Sequence, residues 1–335
     1  MQAVHSELGE SSIASAKALG GNSRRLTRTL LLACLAFIAL PAAALAVPGT
    51  ISTFAGNPLV DGLATTIGQR PAAVAIAGQT LYVADWNKAV VHAIDMRNDN
   101  QTTIAGTGGQ GYTGDGVPAA SAELSAPGVL TVDHAGNLLI GDSQNNRVRL
   151  IAAADCASEC PYDLRSTTKG DIYTVAGNGM SGGPYFDGAS ATDVSIQSPD
   201  GLAVNSRGDL LISTRNLVLE VAGSDCAADC PYGFQSMSKG DVYTVAGQEY
   251  VGFNPSNGGP ARSAGIDPTG LAVDSEGNLL IANAIYYEGL VSMVAASDCN
   301  SACPYGLAAT IAGHIYTIAG ADDSVGHETT APGSG

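Results

Sequence analysis

A short phrase ending in Ala-Gly recurs five times in this chain. The copies are Ile51-Ser52-Thr53-Phe54-Ala55-Gly56, Thr102-Thr103-Ile104-Ala105-Gly106, Ile172-Tyr173-Thr174-Val175-Ala176-Gly177, Val242-Tyr243-Thr244-Val245-Ala246-Gly247 and Ile315-Tyr316-Thr317-Ile318-Ala319-Gly320. Their closing glycines are spaced by 50, 71, 70 and 73 residues. A repeat of this size is one supersecondary unit that cannot bury its apolar surface alone, so neighbouring units must stack. The first interval is close to the length of a four-stranded propeller blade. The later ones are longer because they carry a cysteine-containing insertion and its polar turn.

The same grammar fills each interval. Pro127, Pro199 and Pro268 each lead into a short apolar strand ending Val132-Asp133, Val204-Asn205 or Val273-Asp274. A tight turn then closes on Gly136-Asn137, Gly208-Asp209 or Gly277-Asn278, where Gly accepts a left-handed backbone and Asn or Asp bonds the turning chain. Second strands are expected at 138–140, 210–212 and 279–281, and third strands at 147–151, 217–221 and 290–294. The Ala-Gly phrase is the fourth strand. These runs are too short for helices and show no 3.6-residue period. The fold class is therefore all-β: a β-propeller of four-stranded antiparallel blades, in which radial stacking covers both faces of each sheet. Four complete blades are expected at about 71–106, 127–177, 199–247 and 268–320, with an unpaired outer strand at 50–56.

Six cysteines fall in one recurring phrase: Asp155-Cys156-x3-Cys160-Pro161-Tyr162, Asp225-Cys226-x3-Cys230-Pro231-Tyr232 and Asp298-Cys299-x3-Cys303-Pro304-Tyr305. The simplest pairing closes each phrase on itself as Cys156–Cys160, Cys226–Cys230 and Cys299–Cys303. Such a small loop removes denatured-state entropy worth about 2 kcal/mol. Zinc is the competing reading, but each cluster lacks the further His or Cys needed for four ligands. A redox pair ordinarily has two intervening residues, and no strand–helix context surrounds these.

The formal net charge is -16, from 15 Lys plus Arg against 31 Asp plus Glu. A chain this acidic repels phosphate backbones and anionic lipid surfaces, which excludes general nucleic-acid binding and disfavours membrane binding once a leader is cleaved. At its start, Arg24, Arg25 and Arg28 precede an apolar run from Leu30 to Val47 that ends in Ala44-Leu45-Ala46. Residues 1–46 thus have the layout of a signal peptide cleaved after Ala46, with an uncleaved N-terminal anchor as the alternative. A secreted or cell-surface protein follows. Sec export is the favoured route, and Ser23-Arg24-Arg25 keeps twin-arginine export open. In that setting disulfides persist.

One stretch carries a family resemblance. It runs through Gly114-Asp115-Gly116-Val117-Pro118-Ala119 and Ser121-Ala122-Glu123-Leu124. It resumes at Asp133-His134-Ala135-Gly136-Asn137-Leu138-Leu139-Ile140-Gly141-Asp142-Ser143-Gln144-Asn145-Asn146-Arg147-Val148-Arg149. This run resembles the NHL-repeat β-propeller family, and weaker copies extend the likeness over about 50–320. The resemblance implies five or six blades, with a strand from one terminus completing a blade begun at the other. On that basis 47–320 is an incomplete five- or six-bladed propeller, and 321–335 is the truncated start of a further repeat or a disordered tail. Uncovered sheet faces then predict self-association.

Candidate chemistry is sparse. Loops expected to converge on one propeller face carry Asp61, Asp115 and Asp187, candidates for calcium because hard ions prefer oxygen ligands. The simpler reading is that each accepts backbone hydrogen bonds in its turn. Asp85 and Asp142 follow the second strands and suit either an Asx cap or a ligand contact. Arg147 and Arg149 share one side of the third strand, facing a ligand or an inter-blade acid. Trp86 suits a ligand platform or inter-blade packing. His92, His134, His314 and His327 recur at no common repeat position, so no metal centre or cofactor is assigned. The expected function is a non-catalytic extracellular scaffold that binds a protein or carbohydrate. The alternatives are a metal-dependent extracellular lyase or hydrolase, and a truncated propeller fragment without independent function.

Overall fold

The computed structural model describes residues 62–63 and 70–320, apart from 183–186, 250–251, 255 and 286–287. The leader expected at 1–46, the strand expected at 50–56, Asp61 and residues 321–335 lie outside the described residues. Four antiparallel sheets follow one another along the chain. Blade 1 holds β1 (Gly62–Leu63), β2 (Pro71–Ala77), β3 (Thr80–Asp85), β4 (Val90–Asp95) and β5 (Asn100–Ala105). Blade 2 holds β6 (Val117–Pro118), β7 (Pro127–Val132), β8 (Leu138–Asp142), β9 (Arg147–Ile151) and β10 (Asp171–Ala176). Blade 3 holds β11 (Ala189–Ser190), β12 (Gly201–Val204), β13 (Leu210–Thr214), β14 (Leu217–Val221) and β15 (Asp241–Gly247). Blade 4 holds β16 (Pro268–Val273), β17 (Leu279–Ile285), β18 (Glu288–Val294) and β19 (Ile315–Ala319).

Within each blade the strands pair in sequence, from the Pro-initiated inner strand to the Ala-Gly outer strand. The inner strands β2, β7, β12 and β16 adjoin one another in that order. This is a β-propeller of four blades. The sequence grammar omits one feature: in the first three blades the segment entering the blade adds a two-residue strand outside the outer one, so β1 pairs with β5, β6 with β10 and β11 with β15.

Strand alternation explains why the second strands read as unbroken apolar runs. In β8, Leu138 and Ile140 pack toward blade 1, whereas Leu139 packs toward blade 3. In β13, Leu210 and Ile212 face blade 2 and Leu211 faces blade 4. Both faces of a middle blade are core. Full burial of each Leu or Ile is worth about 1.5–3 kcal/mol, and these contacts hold the blades together.

The recurring Gly is fixed by close approach. Gly106, Gly177, Gly247 and Gly320 have φ of +88°, +87°, +91° and +86°, and an added Cβ would strike the carbonyl of Ala89, Asn146, Asn216 or Gly289 in the preceding turn. The Tyr of the phrase has a different task. The Oη atoms of Tyr173, Tyr243 and Tyr316 accept from the backbone N–H of Thr168, Ser238 and Ile311 at 2.8, 2.8 and 2.9 Å, anchoring the cysteine-bearing excursion. Blade 1 has no such excursion and carries Thr102 there.

All three local disulfides are present, with Cα–Cα separations of 5.7, 5.8 and 5.7 Å. After each, the Cys-Pro-Tyr turn places Tyr162, Tyr232 or Tyr305 at a positive φ of 52°, 54° or 57°. Tyr162 and Tyr232 are buried in the 2/3 and 3/4 interfaces. The clips of blades 2 and 3 therefore each staple their blade to the next.

One polar departure sits inside the 3/4 interface. In blades 2 and 4 the first turn uses Asp133 and Asp274 to accept from Asn137 and Asn278. Blade 3 reverses the pair: Asn205 donates from Nδ2 to Asp209 Oδ2 at 2.9 Å. The exchange puts a buried carboxylate beside Glu220, itself fully buried, with Oε1 accepting from Asn205 at 3.2 Å and Oε2 without a hydrogen-bond partner among the described residues. Burial, and then the Asp209 charge, hold the Glu220 carboxyl well above the usual glutamate range. The folded state thus keeps a proton that the unfolded chain releases, so stability falls as pH rises above the unfolded value of about 4.3. Glu220→Gln removes that penalty. It should raise the melting temperature at pH 7 and lose this advantage as pH approaches 4, as read by thermal unfolding at both values; an equal gain at both pH values would refute a titration origin.

Candidate functional site

A cleft with a volume of about 440 Å³ lies between blades 2 and 3. Tyr112 and Asp115 reach it from the segment joining β5 to β6, Arg147 from β9 and Thr174 from β10. The blade 2 clip adds Tyr162, Asp163, Leu164 and Arg165, and the segment leading into blade 3 adds Asn178, Ser190 and Thr192.

Local chain geometry orients these groups. Arg147 and Arg149 point to the same side of β9, and both guanidinium groups lie against Tyr112, with Cζ 3.9 and 4.8 Å from the ring centroid. Each such contact is worth about 0.5–2 kcal/mol, more when desolvated. Arg147 donates to the carbonyls of Asn145 and Asn178 at 2.9 and 2.8 Å, linking the blade 2 turn to the strand that leaves it. Tyr112 Oη lies 3.3 Å from Thr174 Oγ1, and the residue remains 40% exposed at the cleft lip.

Beneath this lip is a buried charge cluster. Arg149 is fully buried; its Nη2 donates to Thr113 O at 3.0 Å and Asp115 Oδ1 at 3.2 Å, and its Nη1 is 3.9 Å from Asp142 Oδ2. Burial lowers the Arg149 pKa against the opposing pull of Asp115. Burial likewise pushes Asp142 up to about 6, although Asn145 Nδ2 and Ser125 N donate to it at 2.7 and 2.6 Å. Asp142 thereby ties the end of β8 to the segment entering β7. Asp85 accepts from Arg70 N at 3.2 Å and Lys88 N at 3.1 Å, and Asn283 from Asp267 N at 3.2 Å, so the position serves the same tie in blades 1 and 4.

Of the calcium candidates, Asp61 lies outside the described residues, and Asp115 and Asp187 each serve the outer strand of a different blade. Asp115 accepts from Thr174 N at 2.9 Å, Asp187 from Thr244 N at 2.8 Å, and Asn257 from Thr317 N at 3.0 Å. In blades 2 and 3 the added outermost strand follows the acid directly and pairs outside the outer strand, so each acid caps the outer strand of its own blade. Asp187 also pairs with Arg262 of the segment entering blade 4. Among the described residues, no three His, Cys, Asp or Glu side chains group closely enough to hold a metal ion.

Arg147 and Asp115 line the cleft, and Asp142 and Arg149 lie behind it; Asp85 and Trp86 stand apart at the junction of blades 1 and 2. Trp86 is 38% exposed and packs on Gly128, where an added Cβ would lie 2.9 Å from its ring. Arg149 meets acids of its own blade and its entry loop, not the inter-blade partner that strand alternation suggested. Sequence reasoning missed Tyr112, Arg165 and the clip contribution. One available signal was an aromatic shortly before the Asp-Gly or Asn-Gly that enters blades 2, 3 and 4, as in Tyr112, Phe186 and Phe253.

No family model matches the chain, and no curated protein matches it. Solved structures do. A protein of unknown function from Bacteroides thetaiotaomicron is 20% identical with a TM-score of 0.45, over 64% of this chain and 45% of its own. An auxiliary nutrient binding protein from the same organism is 19% identical with a TM-score of 0.41, over 64% and 46%. A catalytically inactive virginiamycin B lyase from Staphylococcus aureus, with quinupristin, is 11% identical with a TM-score of 0.40, over 77% and 58%. The chain spans about half the length of these structures, and likeness at this level assigns neither activity nor ligand.

Asp115 should matter for the site's architecture. Asp115→Ala removes the caps on Thr174 and strands the Arg149 charge, so it should cost about 2 kcal/mol in urea unfolding, discounted because Asp115 is partly exposed. Asp115→Asn should cost less, because Asn257 performs the same capping in blade 4. Equal losses for both variants would contradict this account.

Proposed function

We propose that this chain is an exported NHL-type propeller that binds an extracellular carbohydrate in the cleft between blades 2 and 3, without covalent chemistry. The observation that carries the reading is the cleft's composition: an exposed aromatic, Tyr112, braced from beneath by two arginines and faced by Asp163, Arg165, Asn178, Ser190 and Thr192. A sugar presents apolar C–H faces to such a ring and hydroxyls to planar amide, carboxylate and guanidinium groups. The volume suits one or two saccharide rings. The run 114–149 supports the NHL assignment, and the basic-then-apolar start with Ala44-Leu45-Ala46 supports export.

The capping geometry of Asp115 and Asp187 leaves the proposed binding independent of calcium. A glycan array followed by titration calorimetry tests the reading. Tyr112→Ala and Arg165→Ala should each weaken the best ligand about 5- to 30-fold, the effect of losing an anchor worth about 1–2 kcal/mol. Affinity should be unchanged by EDTA. Retained affinity in both variants, or loss on chelation, would overturn the proposal.

A further inference from the structure

Two clips sit in matching sockets, and among the described residues one socket has no clip. The clip of blade 3 shows what a socket holds. Tyr232 donates from its N–H to Ala296 O at 3.2 Å and from its Oη to Gly277 O at 3.0 Å, both on blade 4. Its carbonyl lies so close to Gly313 that any Cβ there would collide with it. The clip of blade 2 approaches the glycine of blade 3 as closely: a Cβ on Gly240 would fall 2.5 Å from Asp163 Cβ. The socket is therefore a glycine pad before the outer strand, flanked by the first turn of the blade.

Blade 2 has this backbone too. Gly170, Gly240 and Gly313 have φ of +84°, +80° and +73°, and each donates to the matching carbonyl of Ala152, Ala222 or Ala295 at 2.9, 2.8 and 2.9 Å. The turn geometry repeats as well. A Cβ on Gly136 would sit 3.6 Å from Ala153 Cβ, as one on Gly277 would sit 3.7 Å from Ala296 Cβ. The difference lies in the occupant. Around Gly170 no atom of the described residues comes within 4 Å of the Cβ position. Blade 1 joins β4 to β5 through Met96-Arg97-Asn98-Asp99 alone and so has no clip to offer.

We propose that the socket at Gly136, Ala153 and Gly170 on blade 2 is a docking site for a tight, tyrosine-bearing turn of a partner polypeptide. The occupant's chemistry is already present in the molecule: Tyr232, at positive φ, meets socket carbonyls with both its N–H and its Oη, and Tyr162, also at positive φ, sits on a turn narrow enough to reach the glycine of blade 3. Tyr305, 47% exposed on the last clip, is the same plug with no socket among the described residues, its Oη donating to Asp274 of its own blade at 3.1 Å. It does not fit the blade 2 socket of a second copy, because its blade would need the place that blade 1 fills through the core it shares with blade 2. The plug must arrive on a slender turn from a different chain.

The test uses the full chain and a labelled, disulfide-closed peptide reproducing residues 225–235, Asp-Cys-Ala-Ala-Asp-Cys-Pro-Tyr-Gly-Phe-Gln. Fluorescence anisotropy should show saturable binding, weakened at least tenfold by Gly170→Asn in the protein and abolished by Tyr232→Ala in the peptide. Asn tolerates the left-handed backbone, and an unchanged melting temperature would show that Gly170→Asn still folds. As a second readout, bound peptide should slow amide hydrogen exchange at residues 134–137 and 170. Absent binding, binding indifferent to Gly170→Asn, or protection elsewhere would overturn the assignment. Concentration-dependent dimers abolished by Tyr305→Ala would overturn it in favour of a second copy.

Discussion

Burial of both faces of each small sheet is the constraint on which this molecule is built. A four-stranded sheet with Leu-Leu-Ile or Leu-Val-Leu in its middle strands has no solvent face to offer. Leu138 and Ile140 need one neighbour, Leu139 needs another, and only a stack of like sheets supplies both. The Ala-Gly phrase, the disulfide clips and the Asp-Asn turns are fittings on that stack. Each shapes how sheets meet, and none substitutes for the apolar contact. The core joins blade 1 to 2, 2 to 3 and 3 to 4, and among the described residues no core cluster joins blade 4 to blade 1.

Because flank surface is committed to packing, polar chemistry is confined to two places. It can lie on the edges, where entry loops and clips run, or be inserted into a flank at a cost. Equivalent positions show both outcomes. The residue opposite the outer-strand Thr is Arg149 in blade 2, Leu219 in blade 3 and Ser292 in blade 4. In blade 3 the packing is apolar. In blade 2 the guanidinium demands Asp115, Thr113 O and the Tyr112 ring, and that demand draws the entry loop into place and shapes the cleft. One substitution at a repeated position thus accounts for an unrepeated site.

Much of this was legible from the chain, for physical reasons. Short apolar runs between Gly-Asn turns admit strands and little else, and cysteines four residues apart pair most simply with each other. The order of strands, the disulfides and the dual-facing core follow from such local rules. What local rules miss depends on where loops go. Asp115 and Asp187 were expected to meet near an axis because successive entry loops start from equivalent places. The loops instead add β6 and β11 outside the outer strand and carry the acids outward. Two residues of extra pairing leave almost no hydrophobic pattern, so this detour has no periodicity to betray it. Tyr112 was passed over for the same reason, since its partners are 35 and 37 positions away.

Glu220 shows how far a stack of nearest neighbours confines a local cost. It stands where blade 2 has Leu150 and blade 4 has Met293, each paired with the Tyr of the outer strand. An unneutralised carboxylate at that depth would be prohibitive, and the surroundings answer with a retained proton, the Asn205 donor and the Tyr232 clip that seals the interface. The reversal of Asp and Asn at 205 and 209 belongs to the same solution. With Asn first, its Nδ2 donates to both Asp209 and Glu220, a service that Asp133 or Asp274 at that place could not provide. None of this disturbs the core between blades 1 and 2, which shares no residue with the 3/4 core. A repeat stack can therefore hold a strained polar interface at one junction and an open socket at another, because each junction is stabilised by its own two sheets.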